Sequence, residues 1–404
     1  MDGTESDSTS RRERFETPRR TGPTLAGMYR APLLASLLAI LSCGSDGNAA
    51  IDATGPYPVG FQSFELTYAR AATGEERTIE VNVWYPAAEA GDGMSYRVGG
   101  VVSVPTEGAD QGLGVAAGSF PVAVYSHGNG GVGLLAYPYG EHLASHGWIV
   151  VAPDHTGNTA LDFLGGGADP FVRSSLDRPN DLSAVLDWVD EASTEVAAAG
   201  DTGQTLVFGH SFGGYTTLAL AGATPTLERL ARGGCPDPEN PSCALLDDPA
   251  VQAAFEAGFA DPRVDAIVPQ APAIGSLDPA SITALDLPVM LQSGRLDRTT
   301  TQETSAEPTW AALDGTQDLW VEMPRGGHFT FLSICDDLSP ELLEAFQPDA
   351  PDDGCNEEFI PAADALPALE AYVLGWGRLH VLGETELAEV VAEPLADGFV
   401  LTSP

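Results

Sequence analysis

The sequence predicts an α/β protein with a mostly parallel central sheet and helices on both of its faces. Continuous apolar runs such as "FPVAVYSHG" and "GWIVVAPDH" read as strands covered on both faces, as parallel sheets require. Between such runs lie helical patterns, among them Leu182, Val185, Leu186 and Val189 on one face. A third observation is the passage of "TLVFGHS" straight into "FGGYTTLALAGA", a strand, a glycine-rich turn and a helix.

The elements follow in order. "FQSFELTYAR" and "RTIEVNVWYP" alternate apolar and polar residues on either side of "AATGEE", which predicts an antiparallel hairpin at a sheet edge. The two buried strands come next, separated by a helix over 134–145. A helix capped by Asn180 or Asp181 follows in "RPNDLSAVLDWVDEA". Residues 223–262, rich in proline and carrying two cysteines, interrupt the rhythm and read as a small insertion beside the sheet, over its C-terminal edge. "VDAIVPQAP", "LPVMLQSG" and "QDLWVEMP" supply three more strands, and "PALEAYVLGWGRLHVL" a closing helix. One domain is expected over 51–404, preceded by an extension over 1–50.

Composition excludes several functions. There are 58 acidic residues against 18 basic ones, all arginine, for a formal net charge of −40. Such a surface repels nucleic-acid phosphates and anionic membranes and suits a solubilising role in salty surroundings. The acidic stretch "PDAPDDG" lacks the ligand spacing of a calcium-binding EF-hand loop, and no metal site is expected. Within the extension, Arg30 precedes an apolar core from Ala31 to Leu41, short for a membrane span and fitting an export signal over 28–43, with Met28 as an alternative start. "ILSC" is similar to a bacterial lipobox, which would make Cys43 a lipidated first residue and the only membrane anchor; a cleaved secretory signal is the alternative. The expected protein is exported and monomeric. Four further cysteines allow three pairings, of which Cys235 with Cys243 and Cys335 with Cys355 join neighbours in sequence; a zinc site is the alternative.

Gly209-His210-Ser211-Phe212-Gly213 fits G-x-S-x-G between a strand and a helix, the setting in which a serine hydroxyl is raised at a tight turn facing a helix N-terminus. A serine nucleophile needs a base, and the base an orienting carboxylate. Asp297, in "MLQSGRLD", and His328, in "MPRGGHFTF", follow Ser211 in the order serine, aspartate, histidine, each just past a strand. The backbone N–H groups of Phe212 and of Asn129, in "HGNGG", are the expected donors to a developing oxyanion.

Together these residues resemble the α/β-hydrolase superfamily. "SHGNGG", "LASHGWIVVAPDHTGNT", "RPNDLSAVLDWV", "GHSFGGYT" and "GGHFTFLSIC" resemble the predicted dienelactone hydrolases, a group related to platelet-activating-factor acetylhydrolases. That resemblance implies the α/β-hydrolase fold and a cofactor-free Ser/Asp/His esterase acting on a small or lipid-like ester. The stretches "LASHG" and "VPQAP" and the late cysteine pair also resemble cutinase and PETase-type polyester hydrolases, whose clamping aromatics fall here on Asn129 and Ala273 and whose tryptophan before the serine is His210. Polyester hydrolysis, amide hydrolysis and a non-catalytic binding role remain as alternatives.

Overall fold

The hairpin of β1 (Val59–Ala69) and β2 (Glu76–Pro86) is antiparallel, pairing Val59 with Pro86 and Ala69 with Glu76. These and the other elements belong to a computed structural model that describes residues 50–404, except 99–101, 236 and 238. A second hairpin, β3 (Met94–Val98) with β4 (Val102–Thr106), stands apart from the main sheet. The main sheet adds β5 (Asp110–Gln111), β6 (Phe120–Ser126), β7 (Ile149–Pro153), β8 (Gly200–His210), β9 (Ala266–Gln270), β10 (Met290–Gly294), β11 (Leu319–Met323) and β12 (Val400–Thr402). Its ten strands run in the order β12-β11-β10-β9-β8-β6-β7-β2-β1-β5. From β7 to β11 the pairings are parallel, and β2 and β12 join antiparallel on either side.

Every residue of β6, β7, β9 and β10 is buried, which accounts for the unbroken apolar runs. Side chains alternate between two cores. On β8, Leu206 and Phe208 join Trp84, Trp148 and Trp376 on one face. Val207 joins Leu182, Val185 and Leu218 on the other. The helices Tyr137–Ser145 and Ala362–His380 cover the first face, and Phe171–Asp190 and Phe212–Leu220 the second.

The helix expected to begin at Asn180 or Asp181 begins instead at Phe171, with Pro170 as N-cap. Pro179 sits inside it and cannot donate to the carbonyl of Ser175, four residues back. The hydroxyl of Tyr215 donates to that carbonyl at 2.9 Å, so a partner from the next helix replaces the missing bond. Asn180 and Asp181 are mid-helix residues, and Asp181 has a structural role described below.

The insertion folds into the helices Leu227–Gly234, Pro241–Leu246 and Pro249–Ala257, with Cys235 bonded to Cys243. It lies on the N-terminal part of helix Phe171–Asp190: a Cβ at Gly234 would come within 2.7 Å of the Phe171 ring. The second disulfide joins Cys335 to Cys355. Both cysteine pairs are thus those adjacent in sequence, and they suit an oxidising extracellular environment.

On helix Ala362–His380, burial and the neighbouring Glu141 push the carboxyl of Glu370 up to about 8. A carboxyl that ionises at lower pH when unfolded favours the unfolded chain as pH rises from about 4.5 to 8. We expect Glu370→Gln to raise the melting temperature at pH 8 and to change it little at pH 4.5, as read by thermal melts at the two values.

Candidate active site

β8 ends at His210, and the helix Phe212–Leu220 starts two residues later. Ser211 makes the turn alone, at φ 58° and ψ −115°, a left-handed conformation costly for any residue with a side chain. Gly209 and Gly213 are not at positive φ. They are needed for room instead: a Cβ on Gly213 would lie 1.8 Å from the Ser126 carbonyl oxygen, and one on Gly209 2.7 Å from it. The strain falls on the serine, and the glycines let β6 and the following helix close around it. Two backbone bonds fix the turn from β9, Ser211 N–H to Gln270 O and Ala273 N–H to Ser211 O, both 2.9 Å.

The Ser211 Oγ lies 2.9 Å from Nε2 of His328, whose Nδ1 lies 2.9 Å from Oδ2 of Asp297. All three side chains are buried, at 8, 2 and 5 % exposure. The carboxylate is itself held: Oδ1 accepts from the N–H groups of Thr299 and Thr300, and Oδ2 from the Thr300 hydroxyl. Such fixed bonding leaves Oδ2 facing the imidazole and selects the tautomer with a proton on Nδ1. Nε2 is then free to accept from the serine hydroxyl.

Asp353, absent from the sequence reading, ties the histidine and aspartate loops together. Its carboxylate accepts from the N–H groups of His328 and Arg298 and from the Thr299 hydroxyl. It comes from "PDAPDDG", which in sequence looks like solvated loop, yet it is 2 % exposed. The Cys335–Cys355 bond closes the segment that carries it. Asp353→Ala should lower kcat about 100-fold, since misplacing a catalytic group by an ångström costs that order. KM should change less than threefold in steady-state assays, and Asp353→Asn should recover part of the loss. A kcat within twofold of the parent would show the strut to be dispensable.

The loop after β6 carries Asn129. Within the described chain the N–H groups of Gly130 and Gly131 are engaged by Asn158 O and Gly128 O, and that of Asn129 is not. Phe212 opens its helix, so its N–H has no intrahelical acceptor. Beneath these two groups lies Arg178, fully buried. Its guanidinium donates to the carbonyl of His127, to Asn158 Oδ1, to Ser126 Oγ and to Thr216 Oγ1, and stands 4.7 Å from the Phe212 ring centre. Asn158 in turn donates through Nδ2 to Asn129 Oδ1.

Two histidines complete this layer. His127 donates from Nδ1 to Gly128 O and accepts at Nε2 from His155 N–H. His155 donates from Nδ1 to Asp181, and its Nε2 meets the Ser126 hydroxyl. Each has one donating and one accepting nitrogen, as a neutral imidazole does. Burial lowers the pKa of His155 to about 3, and that of His127 well below the usual range, helped by its proximity to His155. Asp181 takes a two-pronged bond from Arg77 and one from the Tyr68 hydroxyl, so its burial is compensated.

A cavity opens over Ser211, bounded by Asn129, His210, Phe329, Leu332 and Gln347 among others. None of its lining residues comes from 223–262. The insertion therefore reaches the site indirectly, through Phe171, which stacks on Phe212 with ring centres 5.4 Å apart, and through the bond of Thr226 N–H to Ser276 O; the wall over the serine is built from the 328–349 segment instead. His210 donates from Nε2 to the His328 carbonyl, while its buried Nδ1 has no partner. No group of three or more His, Cys, Asp or Glu among the described residues could hold a metal ion. Cys43 lies outside those residues.

The sheet order and the strained serine turn after β8 are those of the α/β-hydrolase fold. The model of the chlorophyllase family matches residues 113–230, and that of platelet-activating factor acetylhydrolase isoform II residues 44–163. Over 90 residues, 22 % of this chain, the sequence is 38 % identical to cutinase 2 of Thermobifida cellulosilytica, covering 29 % of that protein. Over a stretch of the same length it is 39 % identical to cutinase est1 of Thermobifida alba, covering 26 % of that protein. The matched stretch thus spans little more than a quarter of these relatives. A ferulic acid esterase structure from Streptomyces cinnamoneus superposes with a TM-score of 0.61 at 22 % identity, over 86 % of this chain and 97 % of that one. The chain thus shares the α/β-hydrolase fold with this esterase and is similar, over part of its length, to the cutinases and to the two matched families.

Proposed function

We propose that this protein is a serine-dependent carboxylic-ester hydrolase working through an acyl-enzyme. The observation that carries the reading is the pair of 2.9 Å contacts, Ser211 to His328 and His328 to Asp297, at the mouth of a cavity. His328 Nε2 takes the hydroxyl proton as Ser211 Oγ attacks the ester carbonyl. The N–H groups of Phe212 and Asn129 receive the oxyanion, and Asp297 stabilises the imidazolium that forms. The proton then passes to the departing alcohol oxygen, and water repeats the sequence to release the acid. The matches to cutinases and to the acetylhydrolase family support an ester substrate, with an acidic surface that disfavours anionic ones. Export fits the two disulfides and the N-terminal segment, with Cys43 as the proposed lipid-bearing residue. No described helix is long and apolar enough to cross a membrane.

A fluorophosphonate probe tests the reading. It should label the protein at Ser211, identified by peptide mass, and labelling should vanish in Ser211→Ala. Paired p-nitrophenyl ester and p-nitroanilide substrates of the same acyl group should be cleaved at least 100-fold apart in favour of the ester. Equal rates would make the protein an amidase, and no labelling with no turnover would leave it a binding module.

A further inference from the structure

The cavity over Ser211 continues past the triad. It shares Gly131, Leu135, Ile334 and Gln347 with a second, smaller cleft. The far walls of that cleft include Val98 and Val102, from the β3–β4 hairpin, with Ala160 and Phe346. Apart from Gln347 and main-chain atoms, its lining is hydrocarbon. Ala160 opens the short helix Ala160–Gly165, held in place by a capping box between Thr159 and Asp162 and by Ala160 N–H on Gly131 O.

That helix turns its apolar residues outward. Leu161, Phe163 and Leu164 are 51, 48 and 58 % exposed, half of the six large apolar side chains found exposed among the described residues. The Phe163 ring lies against Gly130, 3.5 Å from where a Cβ on that glycine would be. Gly130 also lines the cleft, so the apolar cleft and the exposed patch adjoin and form one path leading out of the pocket over Ser211. In a chain with a net charge of −40, uncharged surface of this kind beside a nucleophile calls for an apolar ligand.

We propose that this path is an acyl-chain track, and that the substrates are esters of medium- and long-chain carboxylic acids with small alcohols. The inference rests on the serine-esterase reading and adds an orientation to it. Around the tetrahedral carbon, the oxyanion must face Phe212 and Asn129, and the alcohol oxygen must face His328 to receive its proton. One substituent remains, the acyl chain. The cleft opens beside Gly130 and Gly131, on the oxyanion side, and no residue of 326–332 lines it. The chain's first carbons fill the cleft, and the rest lies along Phe163, Leu161 and Leu164. Each methylene moved from water to this surface is worth roughly fourfold in kcat/KM.

Two isomeric esters, ethyl hexanoate and hexyl acetate, separate an acyl track from general greasiness, because they differ only in which side bears the chain. The parent protein should favour ethyl hexanoate by at least tenfold in kcat/KM. Ala160→Trp, which fills the cleft, and Phe163→Ser, on the exposed patch, should bring that ratio toward one, with the larger effect from Ala160→Trp. A parent ratio of one or below, or a ratio unmoved in both variants, overturns the track. Absence of turnover of both esters by the parent would instead overturn the esterase reading, and calorimetry then decides the track. Ser211→Ala should bind ethyl hexanoate, and adding Ala160→Trp should weaken that binding at least tenfold; equal binding by the two refutes it.

Discussion

Replacing Ser211 by alanine should lower kcat for a p-nitrophenyl ester by about 10⁶-fold, the size of loss seen when a triad nucleophile is removed. The hydroxyl makes one bond, to His328, and its removal leaves a buried imidazole still fixed by Asp297 and by main-chain bonds to Asp353 and His210. Far-ultraviolet dichroism and melting temperature should stay close to the parent's. His328→Ala should cost a similar factor, and the double variant should be no slower than either single one, because a triad acts as a unit. Rates that multiplied would mean that the two side chains work independently, contrary to their 2.9 Å contact. Asp297→Asn belongs to the same series, with an expected loss of about 10⁴-fold from the wrong imidazole tautomer.

Arg178→Met should act on stability and turnover together. Four acceptors lose their donor at once: His127 O, Asn158 Oδ1, Ser126 Oγ and Thr216 Oγ1. Leaving such groups buried and unpaired costs about 3–5 kcal/mol in all, even after partial relaxation. Two of these acceptors belong to residues that set the Asn129 loop, and the Phe212 ring packs against the same guanidinium. Both proposed oxyanion donors therefore lose their footing, and kcat should fall by roughly 10²–10³. Lysine supplies charge without the fork of donors, so Arg178→Lys should recover little. Denaturant midpoints and steady-state rates measure the two effects separately; a variant that lost stability at unchanged kcat would show that Arg178 serves the core alone.

The nature of the central strands was legible because burial on both faces leaves runs of apolar residues, as in "FPVAVY" and "IVVAP". The three side chains singled out around Ser211 stand within hydrogen-bond reach because each sits at the end of a parallel strand, where a motif or flanking glycines betray a turn. What escaped the sequence depends on tertiary partners. Pro179 reads locally as a helix start, and only Tyr215 from another helix makes its interior position tolerable. Asp353 looks like one acid among many until the fold puts three donors around it. Arg178 is one of few cations in an acidic chain, and nothing in its neighbours along the sequence announces that it lies under the Asn129 loop. The helix Ala160–Gly165 and the strands β5 and β12 are too short for a periodic pattern to register.

The margins of the sheet bear on how the molecule behaves in crowded solution. On one side the ladder stops at Val400–Thr402, and on the other at Asp110–Gln111. β5 covers only Gly60 and Phe61 of β1, and along the open remainder of that edge the exposed Glu65 disfavours pairing with a second copy. Mutual repulsion between polyanions works in the same direction. Concentrated preparations should accordingly resist fibril formation, a safeguard built into the periphery of the fold and independent of its chemistry.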